Sequence, residues 1–98
     1  MGKRKITILQ TAATAVAKVS FYIESQGMPS TAKKFVDEAF DFFETLADER
    51  IEHKPCTNQR WKDLNYRCVP YKEKYVIAYL SLQKEIVICD FVSAKLLK

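Results

Sequence analysis

The chain has 98 residues, 48% of them hydrophobic and 12% aromatic, with 16 basic against 12 acidic side chains and a formal charge of +4. That length gives one domain, residues 1–98, with enough apolar mass for a core that needs no covalent staples. No apolar run approaches the ~18 residues of a membrane helix. The stretch after the basic start Met1–Ile6 is broken by Thr7, Gln10 and Thr11, which argues against a signal peptide, so a soluble, cytoplasmic protein is expected.

Residues 3–9 alternate loosely, with Ile6 and Ile8 on one side and Lys5, Thr7 and Leu9 on the other, which reads as a short strand. Gly2 invites a myristoylation reading, but Ile6 stands where that motif wants serine or threonine. Thr11 is the expected N-cap of a first helix, in which Ala12, Ala13, Val16, Val19 and Ile23 recur at helical spacing. Gly27 suits the left-handed position after its end, and Pro29 confirms the stop. Ser30 or Thr31 is the expected cap of a second helix. There Ala32, Phe35, Val36, Ala39, Phe40, Phe43, Leu46 and Ala47 form one stripe, and Lys33, Lys34, Asp37, Glu38, Asp41 and Glu44 occupy the other face. So short a connection makes the two helices an antiparallel hairpin.

Residues 50–60 are irregular, with a short strand expected around 51–54. Residues 61–69 read as strand at least from Leu64, with Leu64, Tyr66 and Cys68 on one side and Asn65, Arg67 and Val69 on the other. A turn at 71–74, a strand at 75–82, a turn at 83–85 and an apolar strand at 86–91 follow, and 92–98 is a tail or a short helical turn. The expected architecture is α+β: a short N-terminal strand and a helical hairpin packed on a three- to four-stranded antiparallel sheet whose other face is open or concave and carries basic and aromatic side chains.

Charge is unevenly spread. Residues 1–27 sum to +3, residues 28–50 to −3 and residues 51–98 to +4, so the sheet half is basic and the second helix acidic. A basic face favours a polyanion or an acidic protein partner. Cys56, Cys68 and Cys89 are odd in number and widely spaced, with no CxxC, so neither a disulfide framework nor a zinc site is expected, and Cys68 and Cys89 read as small buried hydrophobes. His53 is the lone histidine, and the chain has two glycines and no phosphate loop, so no metal or cofactor is expected.

What remains is a group of cations and phenols on or beside the sheet: His53, Lys54, Arg60, Lys62, Arg67, Tyr71, Lys72, Lys74, Tyr75 and Tyr79. Cations neutralise phosphates and tyrosine rings stack on unpaired bases. RNA cleavage by the 2′-hydroxyl also needs a proton acceptor and a donor, which these residues supply only with a lowered lysine or tyrosine pKa. Arg67 has Asp63 and Asp90 as alternative partners, and Tyr66, Tyr75 and Tyr79 have cross-strand packing as theirs.

The run Phe21-Tyr22-Ile23-Glu24 with Ala32-Lys33-Lys34-Phe35-Val36 and Leu46-Ala47 resembles the helical hairpin of the RelE/ParE superfamily of bacterial toxins. Tyr66-Arg67-Cys68-Val69-Pro70, Tyr75-Val76-Ile77-Ala78-Tyr79 and Ile86-Val87-Ile88 resemble that family's sheet. The resemblance implies a growth-inhibiting, plasmid-stabilising type II toxin held by a cognate acidic antitoxin. ParE-like members poison DNA gyrase, whereas RelE-like members cut messenger RNA on the ribosome. Several nucleases of the family have an arginine opening the strand that here begins with Tyr75, and a histidine, arginine or tyrosine after the last strand. Here that region is Asp90-Phe91-Val92-Ser93-Ala94-Lys95. The resemblance therefore favours a ParE-like protein-binding toxin, with a RelE-like endoribonuclease and an inactive binding module as alternatives. Lys54, Arg67, Tyr71, Lys72, Lys74, Tyr75 and Tyr79 are the expected contacts for target or antitoxin. Arg67, Lys62 and Arg60 are the catalytic candidates of the nuclease reading. Phe21 and Phe42, if exposed, would serve a homodimer through the hairpin.

Overall fold

A computed structural model of the protein describes residues 4–48 and 50–97; Gly2, the expected strand start at Lys3 and the terminal Lys98 lie outside them. The elements are β1 (Lys5–Ile8), α1 (Gln10–Ser25), α2 (Pro29–Thr45), α3 (Gln59–Asp63), β2 (Arg67–Tyr71), β3 (Tyr75–Ser81) and β4 (Glu85–Ser93), closed by a 3-10 turn at Ala94–Leu97. The strands form one sheet in the order β1-β4-β3-β2. The strands after the helical hairpin, β2, β3 and β4, are antiparallel as expected, and β1 joins them by running parallel to β4, with Ile6 opposite Ile86 and Ile8 opposite Ile88. The helical hairpin lies between them in sequence and supplies the long crossover that a parallel pair requires.

Backbone groups rather than side chains cap the first two helices. Leu9, not Thr11, is the N-cap of α1, and its carbonyl accepts the Ala13 N–H at 3.0 Å. Met28, not Ser30 or Thr31, caps α2, with Pro29 in the first turn, where its missing N–H costs nothing. Gly27 ends α1 at φ 83°, and its N–H donates to the Glu24 carbonyl at 2.9 Å. The β2–β3 turn places Lys72 and Glu73 at φ 54° and 61°, a left-handed pair without glycine.

The apolar stripe of α2 meets one sheet face as its spacing required. Phe35, Ala39, Phe43 and Leu46, with Ala12 and Val16 of α1, pack on Val69, Tyr71, Ile77, Tyr79, Ile86, Ile88 and Phe91. Phe91 touches Phe35, Phe43, Tyr71 and Tyr75 at ring separations of 5.0–6.4 Å. Phe42 is half-buried with its ring 4.9 Å from Tyr71, whereas Phe21 is 66% exposed. Arg4 fastens the end of α2 to the β3–β4 turn, with its guanidinium donating to Ser81 Oγ at 2.8 Å and to the carbonyls of Leu46 and Asp48 at 3.4 Å.

The second sheet face is not open as expected. Between α2 and β2 the chain makes no strand at 51–54. It lays Pro55 beside Arg67 in an isolated antiparallel bridge and then forms α3 where a strand was expected from 61 or 64. Asn58 caps α3, its side chain accepting the Trp61 N–H at 3.3 Å. The helix ends in a Schellman pattern, with the N–H groups of Asn65 (φ 63°) and Tyr66 donating to the carbonyls of Lys62 and Trp61 at 3.0 Å. Trp61 and Cys56 thereby reach Ala78, with Tyr66, Cys68, Val76 and Val92 around them, in a small second core. Cys56 and Cys68 form a disulfide there, which corrects the sequence expectation of none, while Cys89 is free and buried as expected.

Nothing lies within 4 Å of a Cβ placed on Gly27, so Gly27→Ala meets no clash and bears only the cost of left-handed backbone. A loss of about 1 kcal/mol is expected, lowering Tm by about 4–8 °C in calorimetry.

Candidate functional site

Pro70 lies in the edge strand β2, where its lack of an N–H ends the ladder that the 54–56 segment begins. Two rungs form, Cys68 N–H to the Lys54 carbonyl at 3.2 Å and Cys56 N–H to the Tyr66 carbonyl at 3.0 Å. The antiparallel pattern would next take the residue-70 N–H to the Glu52 carbonyl, which proline forbids. The chain diverges there, and Arg67 takes over. One guanidinium nitrogen donates to the His53 carbonyl at 2.5 Å, and the other pairs with Glu52 Oε2 at 3.1 Å.

This clasp sets His53 against the buried Tyr79, with Nδ1 2.8 Å from the phenol oxygen. Burial first, and then the Arg67 charge, lower the His53 pKa below its ordinary 6.5, which keeps the imidazole neutral at pH 7. Burial likewise raises the Tyr79 phenol, so it stays protonated. Glu52, His53, Arg67 and Tyr79 therefore form one hydrogen-bonded cluster at the start of β2, on the side of the sheet that the helices cover. The ion pair is with Glu52, and not with Asp63 or Asp90 as the sequence allowed. Glu52 was missed because an irregular segment gives no periodicity from which to place a side chain.

The remaining candidates do not gather at this point. Arg60 and Lys62 are exposed on α3, over the opposite sheet face from Arg67, so the catalytic trio of the nuclease reading is split across the sheet. Lys54 is exposed beside a groove of about 280 Å³ lined by Pro55, Thr57, Asn58, Cys68, Pro70 and Val76. Lys72 donates to Glu38 Oε1 at 2.5 Å, a bond that raises the lysine pKa and lowers that of the carboxylate. Lys74 is exposed at the mouth of a groove of about 370 Å³ with Tyr75, Ser93 and Lys95. Tyr71 and Tyr79 are buried, and Tyr75 stacks on Phe91 at 5.0 Å, so the tyrosines serve packing here. No group of His, Cys, Asp and Glu among the described residues is placed to hold a metal ion, and no described helix is long and apolar enough to cross a membrane.

Removing the clasp leaves a half-buried carbonyl unpaired, so Arg67→Ala is expected to cost about 1–3 kcal/mol in urea unfolding. Arg67→Lys, without the planar fork, should recover only part of it. The His53 shift has a definite sign. Its folded pKa is depressed, so the stability it contributes is present above about 6.5 and is lost as pH falls through the lowered folded value. His53→Gln should flatten that acid-side loss in unfolding curves taken either side of this range.

Residues 6–95 match the family model described as the ParE toxin of type II toxin-antitoxin systems, parDE. Among solved structures, a chain of the chromosomal ParDE TA system from P. aeruginosa superposes with a TM-score of 0.76 at 14% identity, over 93% of this chain and 96% of that one. At that identity the likeness establishes the shared fold. No curated protein sequence matches.

Proposed function

Because the chain belongs to the ParE toxin family of type II toxin-antitoxin systems, we propose that it stops growth by binding a protein target, DNA gyrase, without bond chemistry of its own, and that an acidic cognate antitoxin restrains it. The observation that supports this most is the state of Arg67. Arg67, a catalytic candidate of the nuclease reading, is already held by Glu52 and the His53 carbonyl, and Arg60 and Lys62 lie across the sheet from it. Phosphoryl chemistry needs base, acid and charge stabiliser converging on one atom. Exposed cations spread around a sheet suit long-range attraction to an acidic protein instead.

One observation favours the second reading, a ribosome-dependent mRNA endoribonuclease. Glu52, a neutral imidazole and an arginine do meet at the start of β2.

Induction in a bacterium without antitoxin separates the two. Under the first reading growth arrests with a DNA-damage response, purified protein inhibits gyrase supercoiling, and ribosome-bound mRNA stays intact. New mRNA ends at A-site codons would overturn it. The charge argument carries its own measurement. Lys54→Gln with Lys74→Gln should slow association with the purified antitoxin by about tenfold at low salt and reduce its salt dependence, with dissociation little changed.

A further inference from the structure

Cys56 and Cys68 tie the cover of the second sheet face to the edge strand itself, across a sequence separation of 12. The two sulfurs are not equally placed. Cys56 is 2% exposed, beneath the Trp61 cluster. Cys68 is half-buried and lines the 280 Å³ groove, with the exposed Lys54 at its rim. An incoming thiolate therefore has an approach to Cys68, and a cation on that approach favours its anionic form. Cys89, the third thiol, is buried on the same face, where burial raises its pKa and keeps it protonated.

The bridge spans only the small core. The main core contains neither Cys56 nor Cys68. The covering segment keeps the Pro55–Arg67 bridge and the Arg67 clasp as further anchors.

We propose that the Cys56–Cys68 disulfide is a thiol-exchange site, and that its reduction by a dithiol loosens residues 56–66 from the second sheet face while the helix-backed core stays folded. In the step, the attacking thiolate bonds to Cys68 Sγ as the bridge breaks, and Cys56 leaves as a thiolate that takes a proton. The second thiol of the reductant then attacks its own sulfur of the mixed disulfide and releases Cys68. Two electrons and two protons pass from the dithiol to the bridge, and the reductant departs oxidised.

The full chain is purified under oxidising conditions, and thiols are counted by alkylation in denaturant before and after dithiothreitol. Trp61, the lone tryptophan, reports the cover by fluorescence, and amide exchange reports each element. Alkylation of Cys89 alone before reduction and of all three cysteines after it is expected, with a reversible change in Trp61 emission. Exchange should quicken by about tenfold or more across 56–66 and hold steady at Ile77 and Ile88. Cys56→Ser with Cys68→Ser should sit permanently in the loosened state and ignore the reductant, while Cys89→Ser should respond as the parent does. Three free thiols in the oxidised preparation would overturn the proposal. So would reduction that leaves Trp61 and the 56–66 amides unchanged, or reduction that also strips protection from β3 and β4, which would make the bridge a global staple.

Discussion

An edge strand containing proline organises this molecule. β2 is the last strand of the sheet, and Pro70 removes the N–H that a further neighbour would need. The covering segment can therefore pair with β2 only around Pro55 and Arg67. Past that point the peptide groups of Glu52 and His53 have no ladder to join, and a half-buried carbonyl must find another donor. Arg67 is the side chain within reach, because it projects to the helix side of the same strand. The hydrogen bond that proline withholds is replaced by a guanidinium, and the replacement brings an acid, an imidazole and a phenol together.

The same constraint divides the protein into two cores of unequal weight. The main core joins both helices to the sheet through large side chains that are fully buried, Phe43, Ile77, Tyr79, Ile86 and Ile88 among them. Each such side chain contributes roughly 1.5–3 kcal/mol. The second core is a patch around Trp61, Cys56 and Ala78, held by a helix of five residues. A helix that short has no stability of its own. Its cap and its Schellman ending close the helix on itself, and the disulfide ties the segment to β2.

The helical hairpin was legible because its signals are local and redundant. The stripe from Ala32 to Ala47, the left-handed Gly27 and the stop at Pro29 all point the same way, and α1 and α2 form accordingly. The strands β3 and β4 were legible from their β-branched and aromatic runs. The caps were not, because Leu9 and Met28 act through backbone and leave no residue signature. The segment from 50 to 66 was illegible for a different reason. Its strand-like apolar positions are split by a left-handed Asn65, with Trp61 and Leu64 before it and Tyr66 after it, and Trp61 enters a helix that packs on Ala78. The parallel placement of β1 and the pairing of Cys56 with Cys68 are likewise contacts between residues distant in sequence, on which periodicity is silent. The cluster at the start of β2 was half legible: Arg67, His53 and Tyr79 were among the candidates, but Glu52 was not, and Tyr71 and Tyr79 are buried while Tyr75 is half-buried beside a groove.

Electrostatics explains why such a scaffold suits a binding role. The acids of α2 do not cancel the cations of the sheet half, because Asp37, Asp41 and Glu44 point to solvent from their own helix. Glu38 alone crosses over, to hold Lys72 above the β2–β3 turn. Lys54, Arg60, Lys62 and Lys74 remain exposed, on the covering segment, on α3 and at the hairpin tip. Lys54 and Lys74 line separate grooves and Arg60 and Lys62 lie on α3, so these cations are spread over the surface. They do sum into a field at distances of a Debye length, about 8–10 Å at moderate salt. A field of that kind steers an acidic chain onto the surface and leaves contact specificity to shape. Arg67 is held internally by Glu52 and the His53 carbonyl, and that commitment is what favours the proposed attraction of a partner over bond cleavage.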